Sequence, residues 1–171
     1  MARKRLLAVG LLVLVVALAV SPVLGFASSG STGSTDAPVL AFRTMAPVTG
    51  PFVGATNPIR GVAGGGIPWA IAEGRGELRA DGRLEVHVRG LVLAAGPSAG
   101  TNPVAAFRAL VSCQSFTDAV PTVVNVSTDD FPATATGDAD IEATVSLPSP
   151  CFAPIVFVTN PAGRWFAVTG L

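Results

Sequence analysis

The sequence predicts an all-β fold: an antiparallel β-sandwich, immunoglobulin-like or of a related Greek-key order, placed after an N-terminal signal peptide. Two observations carry this expectation. Leu84, Val86 and Val88 alternate with Glu85, His87 and Arg89, the period-two signature of a strand with one wet face. Further along, short β-rich runs recur at near-regular spacing, separated by Pro, Gly, Asn and Asp, as in a sandwich of short strands.

The chain opens with Arg3, Lys4 and Arg5, followed by a small or apolar run from Leu6 to Val20 that stops at Ser21-Pro22. A basic segment feeding an apolar one is the pattern of a secretory leader, and Gly25 and Ala27 supply the small side chains a signal peptidase accepts. Cleavage is expected after Ala27. The competing reading, an uncleaved anchor, needs about 20 apolar residues to cross the hydrocarbon, and this run is shorter and ends at proline. Residues 1–27 are therefore expected to be a signal peptide. Residues 28–37, which open "SSGSTGSTD", have no apolar anchor and are expected to be a flexible linker. Residues 38–171 are expected to form a single β-sandwich domain. The 144 residues after the cut are enough to bury about two thirds of their unfolded surface in one core.

Element by element, "VLAFRTM" (Val39 to Met45) reads as a first strand. Pro47, Pro51, Pro58 and Pro68 then interrupt any regular element, so this stretch is expected to wrap the core in extended form, pinned by Phe52, Ile59 and Val62. Its end, "GVAGGGIPW" (Gly61 to Trp69), has neither a phosphate-loop lysine nor a helix pattern behind it. It reads as a flexible turn before a strand, with Trp69 filling the core edge. "GELRADGRLEVHVRGL" (Gly76 to Leu91) reads as a hairpin. A two-residue loop at Asp81-Gly82 would set Leu78 opposite Glu85 and mix the faces, so a three-residue loop is predicted. A left-handed Gly82 favours Ala80 to Gly82, whereas pairing Arg79 with Glu85 favours Asp81 to Arg83. Strands are also expected in the runs Phe107 to Gln114, Thr122 to Ser127, Ala139 to Leu147, Pro154 to Asn160 and Arg164 to Gly170, although Asn102-Pro103 offers a helix start across Val104 to Val111. The thrice-repeated Thr-Asn-Pro, beginning at Thr56, Thr101 and Thr159, is turn punctuation.

Cys113 and Cys151, the only cysteines, are far apart and have no C-x-x-C or histidine-rich context, so a disulfide is expected. In the loop-entropy model it restricts the unfolded chain by about 4 kcal/mol.

Composition narrows the chemistry. After the leader, eight Arg against eleven Asp and Glu leave a net charge of −3, which offers nucleic acid no basic stripe. Lys and Tyr are absent there, so Schiff-base and phenolic mechanisms have no donor. Any triad would have to pass through His87, the sole histidine, which reads as solvated surface between Glu85 and Arg89. Asp129, Asp130, Asp138, Asp140 and Glu142 form an acidic cluster, the last three on one strand face by period two. Calcium needs six to eight converging oxygens, and the spacing lacks an EF-hand loop, so a hydrated, edge-protecting face is the favoured reading. Asn125-Val126-Ser127 fits a glycosylation acceptor, a pattern short enough to recur by chance.

The span "GRGELRADGRLEVHVRGL" (Gly74 to Leu91) resembles the strand-turn-strand pattern of CHRD-type extracellular domains, ending in V-x-G-L. The resemblance covers fewer than twenty residues and implies a secreted β-sandwich without catalytic residues.

The expectation is then an exported, non-enzymatic β-sandwich acting as a binding or structural module at the cell envelope or in the medium. Its partner would be a protein or glycan at the cell surface, contacted by the Gly61 to Trp69 loop with Trp165 and Phe166, although core filling is the favoured role of those aromatics. No catalytic, cofactor or metal residues, no nucleic acid and no membrane span after cleavage are expected. The alternatives are a hydrolase of glycans using carboxylates between Asp129 and Glu142, and a calcium-dependent adhesion module.

Overall fold

The computed structural model describes residues 38–169, and the expected signal peptide and linker lie outside them. The described residues form twelve strands and no α-helix. In chain order these are β1 (Pro38–Phe42), β2 (Met45–Pro47), β3 (Trp69–Ala70), β4 (Glu73–Arg79), β5 (Arg83–Arg89) and β6 (Val92–Leu93). There follow β7 (Ala106–Thr117), β8 (Val120–Ser127), β9 (Phe131–Pro132), β10 (Ala139–Thr144), β11 (Phe152–Thr159) and β12 (Trp165–Thr169). One sheet has the order β1-β4-β5-β10; a second has the order β2-β12-β11-β7-β8, with β9 paired to the start of β7; β3 and β6 form a short ribbon. All strand pairings are antiparallel. Leu78, Leu84, Val86, Val88 and Ile141 of the first sheet and Phe107, Val111, Val156 and Val158 of the second are buried in one cluster. Two antiparallel layers sharing a core are consistent with a β-sandwich.

The β4–β5 hairpin has the odd loop. Leu78 faces Leu84 and Glu77 faces Glu85, which leaves Ala80 to Gly82 as the turn. Gly82 is left-handed (φ 89°) and its N–H donates to the Arg79 carbonyl at 3.0 Å. Arg79 does not oppose Glu85; it bonds Glu77 on its own strand instead. Residues 104–111 enter β7 without a helix.

Three expectations require correction. The first strand is two strands: the chain breaks at Arg43-Thr44, so that β1 pairs β4 in the first sheet and β2 pairs β12 in the second. The glycine run is no flexible turn, because Gly64 and Gly65 are buried. A Cβ at Gly64 would lie 2.1 Å from the Phe52 carbonyl oxygen, and one at Gly65 would lie 3.0 Å from the Phe166 ring. Only glycine lets this backbone pass so close to its neighbours. The β7–β8 turn, Asp118-Ala119, holds both residues at positive φ (50° and 63°), which extends the two strands well past the runs seen in sequence.

The wrap from Val48 to Gly66 does cover the core, on the outer face of the second sheet. Gly65 N–H donates to the Trp165 carbonyl and Trp165 N–H to the Ala63 carbonyl, at 2.9 and 3.0 Å. A register shift opposite Val158-Thr159 inserts Phe166 as an extra residue in β12. Such a bulge reverses the alternation locally. Phe166 therefore turns inward onto Trp69 and Phe107, while Trp165 turns outward onto Phe157 and Phe52 beneath the wrap. Ile59 and Val62 pin the segment to the core as expected, Phe52 is 41% exposed with its ring 6.4 Å from that of Trp165, and Arg60 ties the segment down by donating to the Ser112 carbonyl at 2.8 Å.

Cys113 and Cys151 form the disulfide, with Cα atoms 5.0 Å apart. It joins neighbouring strands of one sheet, just before Phe152 pairs Gln114.

Candidate functional site

Antiparallel registry sorts the wet face of the first sheet into charged rows. Glu77, Glu85 and Glu142 are directly opposite one another across β4, β5 and β10, and Arg75, His87 and Asp140 form the next row. Like charges in opposite positions repel. Arg79 offsets part of this by bonding Glu77 at 2.7 and 2.8 Å. An open groove of about 490 Å³ runs beside these rows, lined by Phe42, Arg43, Arg75, Glu77, Glu85 and His87.

His87 is not simply solvated. Its Nδ1 lies 2.8 Å from Asp140 Oδ1, and Arg89 Nη2 donates to both Asp140 oxygens at 2.8 and 3.1 Å. The hydrogen bond from His87, then that from Arg89, hold the Asp140 carboxyl below its usual range. Asp138 precedes β10 and serves the backbone, accepting the Gly90 N–H at 2.9 Å and the Thr136 hydroxyl at 2.9 Å. The Gly90 N–H, ahead of the hydroxyl, lowers its pKa. Asp130 pairs with Arg108 of β7, and the Asp129 carbonyl accepts the Thr128 hydroxyl. The acids from Asp129 to Glu142 are thus divided between the two sheets. Among the described residues, no three His, Cys, Asp or Glu side chains converge as metal ligands.

This arrangement orients an imidazole on the wet face of the sheet. No hydroxyl or thiol among the described residues bonds His87, and both cysteines are in the disulfide. A glycosidic general acid needs a carboxyl with a raised pKa. Asp81, Asp138 and Asp140 are shifted the opposite way.

Of the partner surface expected at Gly61 to Trp69 with Trp165 and Phe166, Gly61, Gly66 and Ile67 are exposed but the aromatics are not available. Trp69, Trp165 and Phe166 are buried, spent on the inner core and the packing beneath the wrap. Exposed aromatics lie elsewhere. On the outer face of the second sheet, the wrap covers Leu110 and Ser112 but stops short of Gln114 and Phe116. Registry sets Val123 beside Gln114 and Pro121 beside Phe116. Phe116, Val123 and Phe152 remain 51%, 43% and 53% exposed around a groove of about 310 Å³. The Phe116 and Phe152 rings meet edge to face at 6.3 Å. Sequence reading missed this patch because it ended the β7 run at Gln114; the available signal was Phe116 falling on the parity of Ser112 and Gln114, opposite to that of the core residues.

Among the described residues, no helix is long and apolar enough to cross a membrane. No family model, curated protein or solved structure matches the chain.

Proposed function

We propose that the chain is an exported, non-enzymatic β-sandwich of Greek-key order that binds a protein partner at the cell envelope or in the medium. The contact is the groove of Phe116, Pro121, Val123 and Phe152. The observation that carries this is three large apolar side chains left wet side by side on a sheet face whose Leu110 and Ser112 are covered. Contiguous apolar patches, unlike scattered exposed residues, mark interaction surfaces, and aromatic anchors supply most of the energy there. Export is supported by the leader and by the disulfide, a cross-link that persists in oxidising compartments. The CHRD-type resemblance of residues 74–91 belongs to the same proposal and adds no catalytic group. The division of the acids between two sheets favours this reading over the calcium alternative, and the lowered pKa values of Asp138 and Asp140 favour it over the hydrolase.

The test compares retention of the tagged protein on its host's cell envelope with that of a Phe116→Ser/Phe152→Ser variant. Retention should weaken about tenfold or more in the variant, with the cooperative melt preserved. Equal retention of both proteins would count against the proposal. So would turnover of a glycan panel that disappears on Asp138→Asn/Asp140→Asn.

A further inference from the structure

β8 is the outer strand of the second sheet, paired on one side only, to β7. Thr117 and Val120 close its two-residue turn, so the backbone groups of Val120, Thr122, Val124 and Val126 point to β7. Those of Pro121, Val123, Asn125 and Ser127 point away, and none has a backbone partner among the described residues. Edge strands are normally guarded by charge. Val120 to Ser127 carries no charged residue.

From this edge we propose that two copies of the chain associate through β8, paired antiparallel across a two-fold axis at Asn125, so that the two second sheets become one. Outward residues must pair with outward residues, which leaves few registers. Centring on Asn125 sets Val123 against the partner's Ser127 and leaves Pro121, which has no N–H to donate, outside the ladder. One step away, Pro121 would occupy a donating position and Asp118 would oppose the partner's Asp130, a like-charge clash. The charge pattern therefore excludes that register, and a step the other way leaves only Asn125 against the partner's Ser127 among the outward pairs within β8. On the other face, Val124 meets the partner's Val126, a favourable β-branched pair. These valines are half-buried. On the axis, the Asn125 amide is both donor and acceptor and so complements itself. One of its hydrogens goes to the Arg60 carbonyl at 3.1 Å, leaving the other hydrogen and the oxygen for the partner's Asn125.

The groove shares Val123 with the paired stretch, but its aromatic anchors Phe116 and Phe152 lie outside β8, so pairing through the β8 backbone is tested separately from the proposed function. Light scattering on the protein as its host produces it should give twice the chain mass, falling to one chain on dilution. Amide exchange at Val123, Asn125 and Ser127 should be slow in the concentrated sample and fast in the dilute one. Ser127→Pro removes only an outward N–H, so it should keep a native circular dichroism spectrum and have single-chain mass. Should Ser127→Pro fail to fold, Val124→Lys, which places two ammonium groups diagonally across the axis, should also be a folded single chain. Phe116→Ser/Phe152→Ser should still pair. A parent protein of single-chain mass at every concentration, fast exchange at those amides throughout, or folded edge variants that still pair would each overturn the proposal.

Discussion

Ala119 occupies a conformation that suits glycine. At φ 63°, beside Asp118 at φ 50°, it completes a two-residue turn whose twist matches the strands it joins. A Cβ in this left-handed region costs roughly 1 kcal/mol. Ala119→Gly should therefore stabilise the protein by about 0.5–1 kcal/mol, read as a higher denaturant midpoint at unchanged slope. The same residue explains a blind spot in the sequence. A hairpin announced by Asn-Gly or Asp-Gly is legible, as Asp81-Gly82 was, whereas Asp118-Ala119 carries no glycine and left β7 and β8 looking shorter than they are. His87 is the converse case. Its place on a wet face was legible, but its partner Asp140 is 53 residues away and depends on the pairing of β5 with β10.

Among the elements, the wrap depends most on a few atoms. At Gly64 a Cβ would meet a backbone oxygen at 2.1 Å and Val48 Cγ2 at 2.8 Å, and the Gly64 N–H is already bonded to the Gly54 carbonyl at 2.9 Å. Neither side can retreat cheaply. Gly64→Ala should destabilise by about 1–3 kcal/mol. Gly66→Ala, two residues on, has open space around its Cβ and should change stability by less than about 0.5 kcal/mol. Thermal melts of the pair separate close packing from glycine content alone. Alternation was visible in β4 and β5 because the first sheet has water on one side. It fails in β12, where all five residues are buried between the core and the wrap, and the two-residue strands β3, β6 and β9 are too short to show any period.

Across the whole molecule, acid should be the weak flank. Asp81, Asp138 and Asp140 have lower pKa values folded than unfolded, because the Arg83 N–H, the Gly90 N–H and the His87 side chain, respectively, favour their charged forms most. The stability they contribute is complete above the unfolded value of about 3.9 and is lost as pH falls through the lower folded values. Melting temperature should thus decline from about pH 4 downward, and Asp138→Asn/Asp140→Asn should flatten that decline. The layered antiparallel architecture was legible in the sequence because it follows from local periodicity. The groove and the divided acids were not, because they depend on which faces the wrap conceals and on pairings between distant strands.

The bond between Cys113 and Cys151 encloses β8, β9 and β10, strands drawn from both layers. Tension applied through the two ends of the chain would bypass that ring. The chain between the two cysteines, a sequence separation of 38 worth about 130 Å of contour, cannot be drawn out while the bond lasts. A molecule tethered in flowing medium would thus yield at its flanks and keep the strands inside the ring unstretched.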